Sequence, residues 1–254
     1  MPNNNAALPE SERHILDQSR ILYMDEQCIV VNKLCGEAVE GAGAGMGDLP
    51  LMLKCALKNT GICQPEPVAV NRLDVPVSGC ALFALTQEAL VFLNKAFAES
   101  EGSKAGADSA SVEKFYWAII EKPSGEIPAA AQLTHWIEFD KKHNKSRAHD
   151  AQAPGRKKAM LEYRIIGSGN NYLFLEARLF TGRHHQIRCQ FERMGLHIKG
   201  DLKYSARRSE PGGGIRLHAR SLVFPNPSGS GRISVQAPPP VMDNLWQAFS
   251  GAGG

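Results

Sequence analysis

The segment NRLDVPVSG, residues 71–79, sets Arg72 and Asp74 in one short turn, between the apolar runs EPVAV and CALFAL. In one reading the turn only joins two strands, with Asp74 capping backbone N–H groups. In the other a rigid strand edge presents a single carboxylate for chemistry. Strand, turn and strand fix the local fold either way. The flanking segments decide what the turn is for.

Toward the N-terminus, ILYMDEQCIVVNK reads as two strands with a hairpin turn at Asp25-Glu26, and Gly36 breaks the chain after it. DLPLMLKCALKN (48–59) spaces its apolar residues as a helix does. TQEALVFLNKAFAES (86–100) opens on Thr86, carries Gln87 and Glu88 in its first turn and repeats Leu90, Phe92, Leu93 and Phe97, so a helix is expected there. Residues 1–18 are polar and read as a mobile segment ahead of a single domain over 19–250.

Beyond the helix, GSKAGADSAS (102–111) reads as a loop, KFYWAII as a strand and KPSGEIPAAAQ as a turn-rich link. The run KKHNKSRAHDAQAPGRKK between Lys141 and Lys158 is basic and poor in apolar residues, which composition reads as a solvated loop. AMLEYRII and NYLFLEARLF form a hairpin across GSGN. LHARSLVFPNP, the turn SGSG, the strand RISVQA and a short closing helix around Leu245 and Trp246 complete the chain.

In TGRHHQIRCQFERMG (181–195), Ile187, Phe191 and Met194 follow helical spacing, and Gly195 sits where a helix stops. The helix turns Arg188 away from that apolar stripe. Its N-terminus beside Arg183, His184 and His185 suits a phosphate; the alternative is that Thr181-Gly182 merely caps it. On a helix His184 and His185 point about 100° apart, so at most one faces a given site. With no HExxH and no His/Cys cluster at ligand spacing, no metal is expected.

The 254 residues are 43% hydrophobic and 22% charged, an ordinary globular composition, and no run is long and apolar enough for a membrane span. Six cysteines are scattered without a CxxC pair, which argues against a disulfide framework or a zinc finger. The net charge of +3 declares no nucleic-acid binder by itself. A basic groove therefore has to come from local clusters, around 141–156, Arg183 and 199–208.

Taken together, the segments resemble the RluA family of pseudouridine synthases, from about residue 20 to residue 240. The family's HRLDxxTSG stands here as NRLDVPVSG and its TGRxHQIR as TGRHHQIR, followed by GLHIKGDLKY. Lys114-Phe115-Tyr116-Trp117-Ala118 matches its K-x-Y-x-A strand, and RLHARSLVFPNP its LHA-x-x-L-x-F-x-x-P segment. Asn71 replaces the usual His, Val77 the usual Thr, and Leu34 stands where VNKP is usual. The residues ahead of the resemblance are too few for the S4-type RNA-binding module that many relatives carry.

The resemblance implies an α+β fold with a mixed, mostly antiparallel sheet and flanking helices. It implies isomerisation of uridines in structured RNA, ribosomal or transfer RNA, without a cofactor. By the same resemblance Asp74 is the catalytic carboxylate, Tyr116 stacks on the target uracil, and Arg188 pairs with Asp74, favouring its ionised form. Arg72 is expected to meet a phosphate or fill the gap left by a flipped nucleotide. Arg183, His185 and Leu217 are expected to line the substrate and RNA site. Outside the resemblance, Arg188 reads as an exposed pair with Glu192 or His184, Tyr116 as a core aromatic, and Asp201 as a local cap. The enzyme is expected to be a cytoplasmic monomer with no membrane partner. The rivals are a glycoside-type hydrolase using Asp74 and a non-catalytic RNA-binding relative.

Overall fold

Short β-branched runs punctuated by turn residues give this chain many strands, most of which join in one large sheet. The computed structural model describes residues 16–43, 47–58, 66–101, 111–211, 213–241 and 243–251. Ile21–Met24 (β1) and Cys28–Lys33 (β2) form the first hairpin, where the Asp25 carboxylate accepts from the N–H groups of Gln27 and Cys28 at 2.8 Å each. Glu37–Ala38 (β3) and Gly47–Asp48 (β4) pair in parallel ahead of the helix Leu49–Lys58 (α1). Val68–Ala69 (β5) and Ser78–Ala84 (β6) flank the turn that holds Asp74.

The helix Gln87–Glu99 (α2) begins at Thr86, whose hydroxyl accepts from the Ala89 N–H at 3.1 Å as an N-cap. Then follow Glu113–Glu121 (β7), Ala130–Asp140 (β8), Lys145–His149 (β9), Lys157–Ser168 (β10) and Tyr172–Leu179 (β11). The helix Gln186–Arg193 (α3), Leu217–Pro225 (β12), Arg232–Gln236 (β13) and the helix Asn244–Gly251 (α4) close the chain.

The sheet runs β1-β2-β6-β12-β7-β11-β10-β8-β9, with β5 also on β6 and β13 on β12. Its pairings are antiparallel except for β6 with β12, so the fold is α+β with a mixed, mostly antiparallel sheet, as expected. That parallel seam needs a glycine. Gly79 has φ +113°, and a Cβ there would lie 2.3 Å from the Ala219 carbonyl oxygen, so only a residue without a side chain lets the two strands approach.

β2 is buried along its whole length and separates two cores. Ile29 and Val31 pack with Leu49 and Leu53 of α1 and with Ile187 and Phe191 of α3. Cys28 and Val30 pack on the other face with Ala89, Leu93 and Ala96 of α2 and with Ile233 and Val235 of β13. Leu73, Val77, Tyr116 and Leu217 belong to the first core, and the cleft that holds Asp74 is cut into its rim.

Three expectations are corrected. The basic run 141–158 is not a solvated loop: β9 lies within it and β10 begins at Lys157, both paired to β8. β8 itself starts at Ala130, inside the segment expected to be a link; Leu133, His135 and Ile137 alternate into the interior and anchor the polar edge strand beside them. Residues 16–18, expected to belong to the mobile segment, pack against the domain: Leu16 is buried in the first core and the Asp17 carboxylate caps a 3₁₀ turn over Gln18–Arg20. Residues 1–15 and 102–110 lie outside the described residues.

Candidate active site

The turn 71–77 is held from behind by groups that the sequence pattern does not reveal. Lys33, at the end of β2, is completely buried and its Nζ donates to the carbonyls of Leu34, Asp74, Val75 and Val77 at 2.5 to 3.2 Å. Three ammonium protons are thus shared among four acceptors. Burial pushes the Lys33 pKa down to about 8, against the opposing pull of nearby acidic groups. Asn71 fastens the other end: its Nδ2 donates to the Cys80 carbonyl at 3.0 Å and its Oδ1 accepts from the Leu82 N–H at 2.7 Å. The residue that departs from the family's His is therefore an anchor to β6. Val77 is buried, and an apolar side chain suits that place.

The Asp74 carboxylate leaves the turn toward α3. Arg188 Nη1 donates to its Oδ2 at 2.9 Å, while Arg188 Nε and Nη2 grip the two oxygens of Asp201 at 2.6 and 2.8 Å. Asp201 is 1% exposed and Arg188 5%, whereas the Asp74 side chain keeps 24%. One guanidinium thus sits between two carboxylates, with only Asp74 reachable from solvent. Burial opposes the Arg188 charge, but Asp201 and then Asp74 outweigh it and raise its pKa above the ordinary value. Arg188 is not the exposed surface pair that the bare sequence also allowed, and Asp201 is not a local cap.

The strand β11 and the helix α3 are joined by a tight, internally bonded turn. The Gln186 Oε1 accepts from the Thr181 hydroxyl at 2.8 Å and from the Arg183 N–H at 3.0 Å, and its Nε2 donates to the Met160 carbonyl. The helix begins only at Gln186, so His184 and His185 precede it, and His185 adopts φ 52°, ψ 29°. Their rings do not diverge by a helical step. They stack at 3.7 Å, 25° between planes, and both line the cleft, which corrects the expectation that at most one would face it.

His185 Nδ1 lies 2.8 Å from the Tyr204 hydroxyl and its Nε2 lies 3.5 Å from Asp74 Oδ2. The Asp74 charge favours the tautomer with its proton on Nε2, while the Tyr204 hydroxyl also accepts from the Ser146 N–H at 3.0 Å and lies 3.2 Å from the Ser146 carbonyl. Burial, reinforced by Arg188 and only partly offset by Asp74, brings the His185 pKa down to about 3, so the ring is neutral. Tyr204 also lies under the Arg188 guanidinium, 4.8 Å from ring to carbon. Asp201, read from the sequence as a local cap, joins the site here together with Tyr204 and Lys33, to which the sequence reading gave no role; the matched segment GLHIKGDLKY was the available signal for the first two.

The cleft has a volume of roughly 700 Å³ and collects every residue singled out from the sequence: Asp74, Tyr116, Arg188, Arg72, Arg183, His185 and Leu217 all line it. Tyr116 is 9% exposed and Leu217 3%, both forming apolar floor. Burial and then the Asp74 charge raise the Tyr116 pKa, which keeps its hydroxyl protonated. Arg72 stands at the mouth with 76% of its side chain exposed, 3.9 Å from Glu40. Arg183 is more engaged: it donates to the Lys158 carbonyl and pairs with Glu101 at 3.1 Å. Among the described residues no group of three His, Cys, Asp or Glu could hold a metal ion.

A sheet with one parallel seam and a carboxylate on the turn before it defines a class, and the class has known members. Residues 27–193 match the family described as RNA pseudouridylate synthase, and the chain belongs to that family, in its RluA branch. It is 31% identical over 81% of its length to an uncharacterized RNA pseudouridine synthase of Synechocystis, and 32% identical over 73% to the mitochondrial RNA pseudouridine synthase 4 of Arabidopsis thaliana. It spans 61% and 40% of the lengths of these two relatives. Its fold is that of the human RNA pseudouridylate synthase domain containing 4, with a TM-score of 0.69 at 19% identity, covering 95% of this chain and 97% of that one.

Proposed function

We propose that this protein converts uridines in structured RNA to pseudouridine, with Asp74 as the catalytic carboxylate. The observation that carries this reading is one reachable carboxylate, fixed by a fully engaged guanidinium, in an open cleft whose floor includes Tyr116. Asp74 acts at the ribose, as nucleophile at C1′ or as acceptor of a 2′ proton. The bond from uracil N1 to C1′ breaks, the base turns, a bond from C5 to C1′ forms, the C5 proton leaves and the freed N1 takes up a proton; in the second route the 2′ proton returns to C2′. Atoms and electrons balance within the nucleotide.

Tyr116 supplies a flat face and a neutral hydroxyl for the extruded base, and Leu217 closes the floor beside it. Arg72, exposed at the mouth and only loosely paired with Glu40, suits a phosphate or the gap left in the stack, and Arg183 and His185 border the nucleotide from the α3 side. Ribosomal or transfer RNA stem-loops are the substrates this reading favours, handled by a monomer in the cytoplasm. Among the described residues no helix is long and apolar enough to cross a membrane.

A two-carboxylate hydrolase fits less well. Asp201 faces away behind Arg188 and is 1% exposed, so it cannot serve as the second acid. Incubation with unmodified ribosomal and transfer RNA, followed by digestion to nucleosides, tests the proposal. Pseudouridine should appear at the expense of uridine with no free uracil. Released uracil would point to hydrolysis, and binding without any change in composition to the non-catalytic relative.

A further inference from the structure

Phe139 is 43% exposed where its strand calls for burial. Leu133, His135 and Ile137 face inward along β8, and Phe139 continues that row one step further, to where the core ends and the cleft begins. The His184 ring lies 4.3 Å from it and in turn stacks on His185. Ser146, the cross-strand partner of Phe139, holds His184 through a 2.8 Å bond between its hydroxyl and Nδ1. Burial lowers the pKa of His184, so its ring too favours the neutral form. A row of three rings therefore runs from the β8–β9 hairpin to the edge of the Asp74 carboxylate. Neither Phe139 nor His184 is fixed by the motif segments; His184 fills the open position of TGRxHQIR.

We propose that Phe139 and His184 form a shelf on which the nucleobase flanking the target uridine stacks, so that the β8–β9 hairpin reads the RNA immediately beside the reacting nucleotide. This rests on the pseudouridine synthase reading of Asp74. An unstacked base offers a flat apolar face, and the exposed Phe139 ring, backed by the half-buried His184 in the same cleft as the carboxylate, is its complement. Lys141, Lys142 and Arg147, all exposed on that hairpin, supply charge for the accompanying phosphate.

The test is a hairpin RNA carrying 2-aminopurine beside a loop uridine, on the 5′ side in one series and the 3′ side in another, titrated with the full chain. In one of the two series, stacking should quench the fluorescence, Phe139→Ala and His184→Ala should each bind about tenfold more weakly, and Phe139→Trp should restore binding. With an abasic site in place of the flanking base, wild type and Phe139→Ala should bind alike. Wild type that quenches neither probe, a Phe139→Ala variant with unchanged affinity in both series, or a loss that persists in full on the abasic RNA would overturn the shelf. Because the readout is binding, quenching without any pseudouridine formed would sink the catalytic reading and leave the shelf standing.

Discussion

Three charges meet at the edge of the cleft, and the middle one sets the geometry. Arg188 reaches Asp74 through one nitrogen while two others are locked on Asp201, so the position of the Asp74 carboxylate is inherited from a buried acid. Asp201→Asn keeps the shape but leaves one guanidinium donor facing an amide N–H₂. It should lower kcat about a hundredfold in single-turnover assays, with a smaller effect on RNA affinity, and destabilise the fold by about 3–5 kcal/mol. An unchanged kcat would show that Arg188 needs no such support. The pairing of Arg188 with Asp74 was legible because motif and chemistry agreed on it. Asp201 was not, since pairing between residues 13 apart across a turn leaves no periodic trace. The histidine pair was misplaced for a related reason: apolar spacing starts the helix too early when a left-handed residue precedes it.

At the scale of elements, the turn 71–77 is rigid because two strands hold it. Lys33→Met should remove donors from four carbonyls at once, lowering both the melting temperature and kcat; a variant with wild-type values in both would contradict the clasp. Gly79→Ala meets the Ala219 backbone at 2.3 Å in a conformation that side chains avoid, and should cost several kcal/mol in urea unfolding. The helix α2, with its Thr86 cap, and the first hairpin were legible because local propensity, capping and pattern point the same way. The strand β9 was not: KSRAH is polar on composition, and only its register against β8, where Ser146 faces Phe139, makes it a strand.

The whole molecule carries two further expectations. His218 is fully buried, its Nδ1 accepting from the Ser78 hydroxyl and its Nε2 donating to the Ala237 carbonyl, and burial brings its pKa down to about 4. His185 shares that sign, at about 3. Folded protein therefore binds fewer protons than unfolded chain below pH 6.5, so the contribution of these rings is intact above that value and lost as the pH falls toward 4. For His218 alone it amounts to about 3 kcal/mol. His218→Asn should flatten urea stability across that window, and an equal slope in both proteins would refute the assignment. RNA affinity should fall linearly with salt on logarithmic axes, and Arg72→Ala should reduce the slope by about one if Arg72 meets a phosphate. The net charge of +3 concealed this, because the basic residues are grouped on the hairpin and at the cleft mouth.

The central claim is that Asp74 isomerises uridine, and tritium release tests it most directly. Ribosomal and transfer RNA transcribed with 5-³H-uridine, and therefore unmodified, would be incubated with wild type and with Asp74→Asn. Isomerisation through Asp74 predicts release by wild type and none above background by the variant, while the variant still binds RNA. Release at the wild-type rate by Asp74→Asn would contradict the account.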